Sequence, residues 1–332
     1  MMTKFRFTID DNSNTLKFQQ LVDAIIDSIS RNQLKEGEML PSVNTIMQEG
    51  NVSRDTVFKA YAELKKRGVV ESVPNRGYFV TRKITRVFLF LDTFKAYKEV
   101  LYGSFLQALP KNISVDLHFH HYNIGVFEKI VQESLGKYSK YIIMNFDHPR
   151  VPEIIQKIPK EQLLIIDWKI HADEQHSAVY QNFGEPVYAC LQQNLERIKK
   201  YNHFTFFYPP FTYHPKIAIE YFRKFCADYK IGHSVIFEPE QFIVKDGGLY
   251  LLVSDRTLAW FLDQCAEKGF DPGREAGVIS YNETPMKKYV KNGISVISTD
   301  FELMGQKAAE FVTSSQPVHF EVPTTLKLRS SL

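Results

Sequence analysis

Along the first eighty residues, apolar positions recur at helical spacing. Phe18, Leu21, Val22, Ile25, Ile26 and Ile29 fall three or four apart and define one face of a helix ending near Arg31. "LKEGEMLPS" reads as a turn, with Gly37 for tight geometry and Pro41 at the opening of the next element, a short helix from Val43 to Glu49. "EGNVS" makes a second, sharp turn. Ser53 then serves as N-cap of a third helix that buries Val57, Ala60, Tyr61 and Leu64. Beyond Gly68, "VVESV" and "GYFVTRK" form two short β-like runs around "PNRG", a hairpin with Arg76 at its tip.

From Thr85 the pattern changes. "RVFLFLD", "SVDLHFH", "KYIIMNFD", "LLIIDW", "HFTFFYP", "HSVIFEP", "LYLLVSD" and "AGVISYN" are near-continuous apolar runs of strand length. Helical stretches such as "EVLYGSFLQAL", "VFEKIVQESL", "PVYACLQQNLERIKKY", "IAIEYFRKFCADY" and "RTLAWFLDQCAEKG" separate most of them. Such alternation predicts an α/β fold with parallel sheets covered by helices on both faces. There are too many strands for one small sheet, so two lobes are expected.

Two helices joined by a turn of about four residues are the sequence image of helix-turn-helix. The second helix then offers its N-terminal residues to the major groove of DNA, with Arg54, Thr56 and Lys59 placed to meet phosphates and base edges, and Arg76 on a wing beside them. The stretch "LKEGEMLPSVNTIMQEGNVSRDTVFKAYAELKKRGVVESVPNRGYFV" resembles the winged-helix domain of the GntR family of bacterial transcription regulators. The resemblance rests on Leu40-Pro41-Ser42, Val52 to Val57, Leu64 to Gly68 and Asn75 to Val80, in order and at matching separations. It implies contacts with double-stranded operator DNA from Ser42, Asn44, Ser53, Arg54, Thr56, Lys59 and Arg76. Two positions depart from the family pattern: Asn44 replaces an arginine that touches DNA, and Asn75 replaces the first wing glycine while still tolerating positive φ. Asn44 can pair bidentately with adenine, so base preference is expected to differ.

In open parallel sheets, ligands bind beyond the carboxyl ends of the strands. Asp92, Asn145, Asp147, Asp167, Asp255, Asn282 and Glu283 follow apolar runs, with aromatics at Phe94, Tyr97, Trp168 and Tyr281. Hydroxyl groups need paired donors and acceptors, and the apolar face of a pyranose packs on an aromatic ring, so this set suits a sugar. Residues 84 to 332 resemble the LacI type of effector domain, which shares its fold with periplasmic sugar-binding proteins. The features that carry this are Asp255 after a strand, Ser280 to Glu283 at a strand end, a crossover strand leading to a helix with Gly305, and a terminal strand closing in Arg-Ser. The resemblance implies sugar contacts from Asp255 and Asn282. The arginine that the family carries before a Gly-Phe pair is missing, since Ala218 and Ile219 stand there; His214, one turn earlier, is the expected substitute. Phe94, Tyr97, Asp147, Trp168, His214, Asp255, Asn282 and Glu283 make up the expected effector site.

The expected organisation is a winged helix over 1–83 and a two-lobed domain over 84–332. The first lobe would hold 84–184 with 298–315, the second 185–297 with 316–332. A GntR head on a sugar-receptor body also resembles regulators of the arabinose-responsive and fucose-responsive types, which implies a homodimeric repressor answering to L-fucose or a similar monosaccharide. A GntR regulator sensing a non-sugar metabolite is the alternative, followed by an enzyme with a DNA-binding appendage. The strand runs do not suit an all-helical sensor, and an aminotransferase-like body needs more residues than the chain has.

Composition sharpens this in three places. All of the net charge of +3 falls in the first 83 residues, so a nucleic-acid surface would be local. Cys190, Cys226 and Cys265 lie far apart in apolar helical contexts, as expected of buried thiols in a reduced, cytoplasmic chain. No apolar run reaches the roughly 18 residues of a membrane span. His118, His120 and His121 invite a metal reading, but no further ligand follows at matching spacing, and a half-buried strand end explains them better. "KDGG" is too poor in context for a phosphate loop, and GxSxG, HExxH and GxxxxGK[ST] do not occur. Neither cofactor nor metal is called for.

Overall fold

The computed structural model describes the chain apart from residues 1–6, 11, 12, 14, 31, 32, 68, 75, 82–84, 111, 112, 170–175 and 315. The expected helix end at Arg31, the residues Gly68 and Asn75, and the domain boundary at 83 and 84 lie outside the described residues. Contacts divide the chain into two compact units, Met1–Thr85 and Arg86–Leu332.

The first unit contains α1 (Lys17–Ser30), α2 (Val43–Gly50), α3 (Arg54–Lys66) and an antiparallel hairpin of β1 (Val70–Val73) and β2 (Gly77–Val80). Its core joins Leu21, Val22 and Ile25 of α1 to Ile46 of α2 and to Val57, Ala60, Tyr61 and Leu64 of α3, closed by Val70 and Val80. Each large side chain buried there contributes about 1.5–3 kcal/mol, against about 1 kcal/mol for a good N-cap. Packing therefore holds α3 in place, and the Ser53 cap, which accepts from the Thr56 amide at 3.2 Å, sets where it starts. Pro41, expected at the first helical position, stands two places before it: Val43 opens α2, Ser42 is its N-cap, and Pro41 precedes both. The Pro41 carbonyl accepts from the buried Tyr61 hydroxyl at 2.6 Å, tying the entry of α2 to α3.

The second unit has two six-stranded sheets. The first runs β13-β7-β6-β5-β3-β4, built from β3 (Thr85–Leu91), β4 (Ile113–Phe119), β5 (Lys140–Met144), β6 (Leu163–Asp167), β7 (Ser177–Tyr180) and β13 (His319–Glu321). The second runs β14-β12-β11-β10-β8-β9, built from β8 (His203–Phe207), β9 (His233–Ile236), β10 (Gly248–Leu252), β11 (Ala276–Tyr281), β12 (Ser295–Thr299) and β14 (Thr324–Lys327), the last pairing antiparallel. In the first sheet, Ile142 and Met144 enter one core while Tyr141 and Ile143 enter another on the opposite face. Burial on both faces is why these strands read as unbroken apolar runs instead of alternating ones.

Helices α4 (Ala96–Ala108), α5 (Ile124–Ser134), α6 (Val151–Ile155) and α11 (Phe301–Thr313) cover the first sheet. Helices α7 (Glu185–Gln193), α8 (Leu195–Ile198), α9 (Ile217–Asp228) and α10 (Asp255–Lys268) cover the second. The stretch expected as one helix from Pro186 breaks at Asn194, whose side-chain amide donates to the Cys190 carbonyl at 2.9 Å. An asparagine that bonds local backbone competes with helix continuation.

The chain passes between lobes three times: from β7 to α7, from β12 to α11, and from β13 to β14. The segment 316–332, expected whole in the second lobe, is divided between the two sheets. His319–Glu321 pairs parallel with β7, and only the residues after it join β12. Side chains lace the three passages together. The Thr299 hydroxyl donates to Gln181 Oε1 at 2.6 Å and shares a hydrogen bond with the Thr324 hydroxyl at 2.9 Å.

Candidate functional site

On the first unit, the residues expected to meet DNA stand at the caps and first two turns of α2 and α3 and on the hairpin. Ser42 and Ser53 use their hydroxyls as caps, each also bonded to a threonine hydroxyl three residues on, Thr45 at 2.8 Å and Thr56 at 2.9 Å. Asn44 is exposed on the first turn of α2. Arg54 is exposed at the start of α3, its guanidinium 5.5 Å from the Phe58 ring centre. Lys59 pairs with Asp55 at 2.8 Å, both exposed. In water such a pair contributes less than about 1 kcal/mol, so Lys59 can exchange Asp55 for a phosphate at little cost. Arg76 is exposed at the hairpin turn over Phe79, followed by Gly77 at φ +111°, a conformation that favours glycine.

In the second unit, a cavity of about 340 Å³ opens between the lobes, beyond the carboxyl ends of β3, β4, β8, β10 and β11. Thr93, Lys95, Tyr97 and Tyr122 line it from the first lobe, and Phe211, Tyr213, Asp255, Arg256, Tyr281 and Asn282 are among those facing them from the second. Three of its lining residues carry a buried polar atom with no hydrogen-bond partner: Thr93 Oγ1, Tyr281 Oη and Asn282 Oδ1. Leaving such a group unmatched costs about 1–3 kcal/mol. Three around one cavity, drawn from both lobes, is the arrangement of a site whose partners arrive with a ligand. Burial raises the phenols of Tyr281, Tyr97 and Tyr122 above their ordinary values, so all three remain neutral donors.

The wall is held rigid from behind. Lys287 is almost wholly buried, and its ammonium donates to the carbonyls of Tyr281 at 2.9 Å and Asn282 at 2.6 Å, with Asp255 Oδ1 at 2.8 Å. These bonds pin the loop in which Asn282 adopts φ +60°. On the facing lobe, Lys98 is fully buried and paired with Asp92, which also accepts from the Tyr122 hydroxyl and the Thr93 amide. Burial pushes the Lys98 ammonium down to about 7, with Asp167 opposing. Tyr122 and Tyr213 stack across the mouth, ring centres 3.6 Å apart and planes within 4°.

Of the expected effector residues, Tyr97, Asp255 and Asn282 line this cavity and the others do not. Phe94 is 59% exposed, with its edge on Phe119. Asp147 is exposed on the loop after β5. Trp168 packs against the second lobe's core near Phe183. His214 lies behind the wall against Tyr281, ring centres 4.4 Å apart, and burial, with Lys95 adding to it, pushes its imidazole down to about 3. Its Nε2 is buried without a partner. Glu283 turns to Arg329 and Lys327, in a larger cavity of about 520 Å³ beside the lobe crossovers. That carboxylate is already matched within the protein, so the larger space lacks the unmet groups of the smaller. Asp92 and Asp167 are likewise turned inward, to Lys98 and Gln181. Sequence reasoning missed Thr93, Lys95, Tyr122, Phe211, Tyr213 and Arg256. The rule that sites gather beyond strand ends finds Thr93 and Lys95 when it is carried a few residues past Asp92.

Together these features define a class: a winged helix-turn-helix unit followed by a two-lobed α/β domain with a cleft at its strand ends. A profile described as bacterial regulatory proteins, gntR family, matches residues 17–80. YcxD and YydK of Bacillus subtilis, both uncharacterized HTH-type transcriptional regulators, are 34% and 30% identical over 67 and 121 residues, or 20% and 35% of this chain. The chain spans only 15% and 50% of their respective lengths. YhcF of the same organism, with the same description, is 31% identical over 26% of this chain and 69% of its own length. The chain belongs to the gntR family of bacterial regulatory proteins. Among solved structures, the trehalose repressor from Escherichia coli aligns with a TM-score of 0.61 at 12% identity, covering 73% of this chain and all of the repressor chain. A lac repressor bound to ONPG aligns at 0.61 and 14%, covering 87% and 95%. At such identities the likeness establishes the fold of the two-lobed domain.

Proposed function

We propose that this protein is a one-component transcription repressor whose affinity for operator DNA is set by a monosaccharide bound between the lobes. The sugar is a pentose or deoxyhexose, L-fucose or a close relative. The protein acts as a cytoplasmic homodimer that places two α3 helices in successive major grooves, roughly 34 Å apart. The observation that carries this reading is the interlobe cavity with its unmatched Thr93, Tyr281 and Asn282 atoms among aromatic rings. Its volume sits at the low end of the ~300–1,000 Å³ typical of small-ligand sites, which fits one sugar ring better than several. Binding at a cleft formed by both lobes favours their closed arrangement. A coupling of about 1–3 kcal/mol to operator binding would alter affinity roughly 5- to 150-fold.

A melting-temperature panel of monosaccharides and their derivatives on the full chain tests this. A ligand at 100 times its Kd stabilises by about 2.7 kcal/mol. Arg54→Ala is expected to weaken operator binding and leave that stabilisation intact. Asp255→Ala is expected to do the reverse, at a cost of about 1 kcal/mol in the unliganded protein because the pair with Lys287 is partly solvent-screened. If both variants lose the same property, the division of labour between the units is wrong.

A further inference from the structure

The charges around the cleft do not cancel. Its charged lining side chains are Lys95, Asp255 and Arg256. Asp255 is matched by Lys287, and deeper in the first lobe Lys98 is matched by Asp92. Asp167 lies outside the lining, where it accepts from Gln181; burial raises its carboxyl, with Lys98 opposing. Among the described residues, neither Lys95 nor Arg256 forms an ion pair. Helix packing does not call for Arg256 either. It is the second residue of α10, where the helix dipole disfavours a cation, and it rests on the Phe211 ring, itself part of the lining, at 4.9 Å. Lys95 comes from the first lobe and Arg256 from the second. Burial lowers the Lys95 ammonium; Asp255 and Asp167 oppose this, and Arg256 makes the smallest contribution, adding to it.

We propose that the cleft takes an anionic monosaccharide, a phosphorylated or acid sugar, whose charged group sits between Lys95 of one lobe and Arg256 of the other. This rests on the sugar reading above and deepens it. The hydroxyls meet Thr93, Asn282 and Tyr281, and the ring lies among the aromatics. The anion makes binding and closure one event. Without it, the two cations on facing lobes have no ion-pair partner among the described residues; with it, each lobe supplies a charge-assisted hydrogen bond to the same group. A neutral sugar fills the space but leaves both cations without an ion-pair partner.

The test is calorimetric titration of the full chain with glucose 6-phosphate, fuculose 1-phosphate, glucuronate and galacturonate, with their neutral parent sugars, and with inorganic phosphate. The protein is used as wild type and as Lys95→Gln, Arg256→Gln and Arg256→Lys. At least one anionic sugar is expected to bind while its neutral parent binds about tenfold or more weakly, and each Gln variant is expected to lose about tenfold or more. Arg256→Lys should retain most of the affinity, and added salt should weaken binding. Phosphates responding without uronates, or the converse, identifies the anionic group. Both Gln variants should melt, unliganded, close to the wild-type temperature, since both residues keep exposed surface and neither forms an ion pair among the described residues. A neutral sugar that binds at least as well as its anionic form, with affinity unchanged in both Gln variants, overturns this inference and leaves the sugar reading standing. Inorganic phosphate binding as tightly as any sugar phosphate also overturns it. Silence from every sugar, charged or neutral, takes the underlying reading down as well.

Discussion

His120 has no exposed surface and is surrounded by Phe90, Phe127 and Phe146. Its Nε2 lies 2.8 Å from the Met144 carbonyl and its Nδ1 accepts from the Tyr122 amide at 3.2 Å, which fits the neutral ring protonated at Nε2. Burial pushes the imidazole down to about 4; the Met144 bond opposes this, and Lys98 and His121 reinforce it. The unfolded chain therefore binds this proton first as pH falls. Stability is whole above the unfolded value of about 6.5, declines as pH drops towards 4, and levels off below, a loss of about 3 kcal/mol. Urea denaturation of the wild type and of His120→Gln between pH 7 and pH 4 checks it: the variant should lack that part of the decline, and equal acid limbs would show that His120 titrates normally. The sequence placed the three histidines at a strand end but could not say which was enclosed, because His118, His120 and His121 differ only in which side of the sheet and turn they face. Lys95 and Arg256 were invisible for a related reason. An isolated cation in a loop or helix start is ordinary in sequence, and only the folded lobes show that these two line one cleft without forming an ion pair among the described residues.

Helices α4 and α11 pack closely at Gly305. A Cβ built there would lie 2.4 Å from the Leu101 carbonyl oxygen and 2.8 Å from the Phe105 amide nitrogen. Both are helix backbone atoms that cannot swing aside. Gly305→Ala gains about 1 kcal/mol in helix propensity, but overpacking against backbone costs up to about 3 kcal/mol. The variant is expected to lose roughly 1–2 kcal/mol in denaturant unfolding; a gain would mean that the two helices separate freely. Elements of this kind were largely legible. Each of the long apolar runs beyond Thr85 forms a strand, and Val57, Ala60, Tyr61 and Leu64 all point into one core. The losses have local causes. "SAVY" forms β7 from four residues, too few for periodicity to register, and β13 has only three. Their strand character comes from neighbours in the sheet.

At the scale of the whole two-lobed unit, the stacked Tyr122 and Tyr213 rings form a bridge between lobes, although Tyr213 is 61% exposed. An aromatic pair contributes about 0.5–1.5 kcal/mol beyond the area it buries. Tyr213→Ala is expected to shift the unliganded protein towards an open arrangement, visible as a larger radius of gyration in scattering, and to weaken effector binding about three- to tenfold. Unchanged scattering and affinity would mean that the stack follows closure without favouring it. That two lobes exist was readable from strand count; that residues 316–332 divide between them was not, because His319–Glu321 is placed by the free edge of β7 alone. The three passages between lobes also carry a consequence for how the molecule is made. The first sheet begins at Thr85, yet its last strand and the helix seated on α4 emerge only after residue 300. A ribosome therefore finishes the entire second lobe's parallel strands while the first still exposes the Leu101 and Phe105 face of α4. Any chain released before α11 is synthesised leaves that greasy surface open to proteases and chaperones.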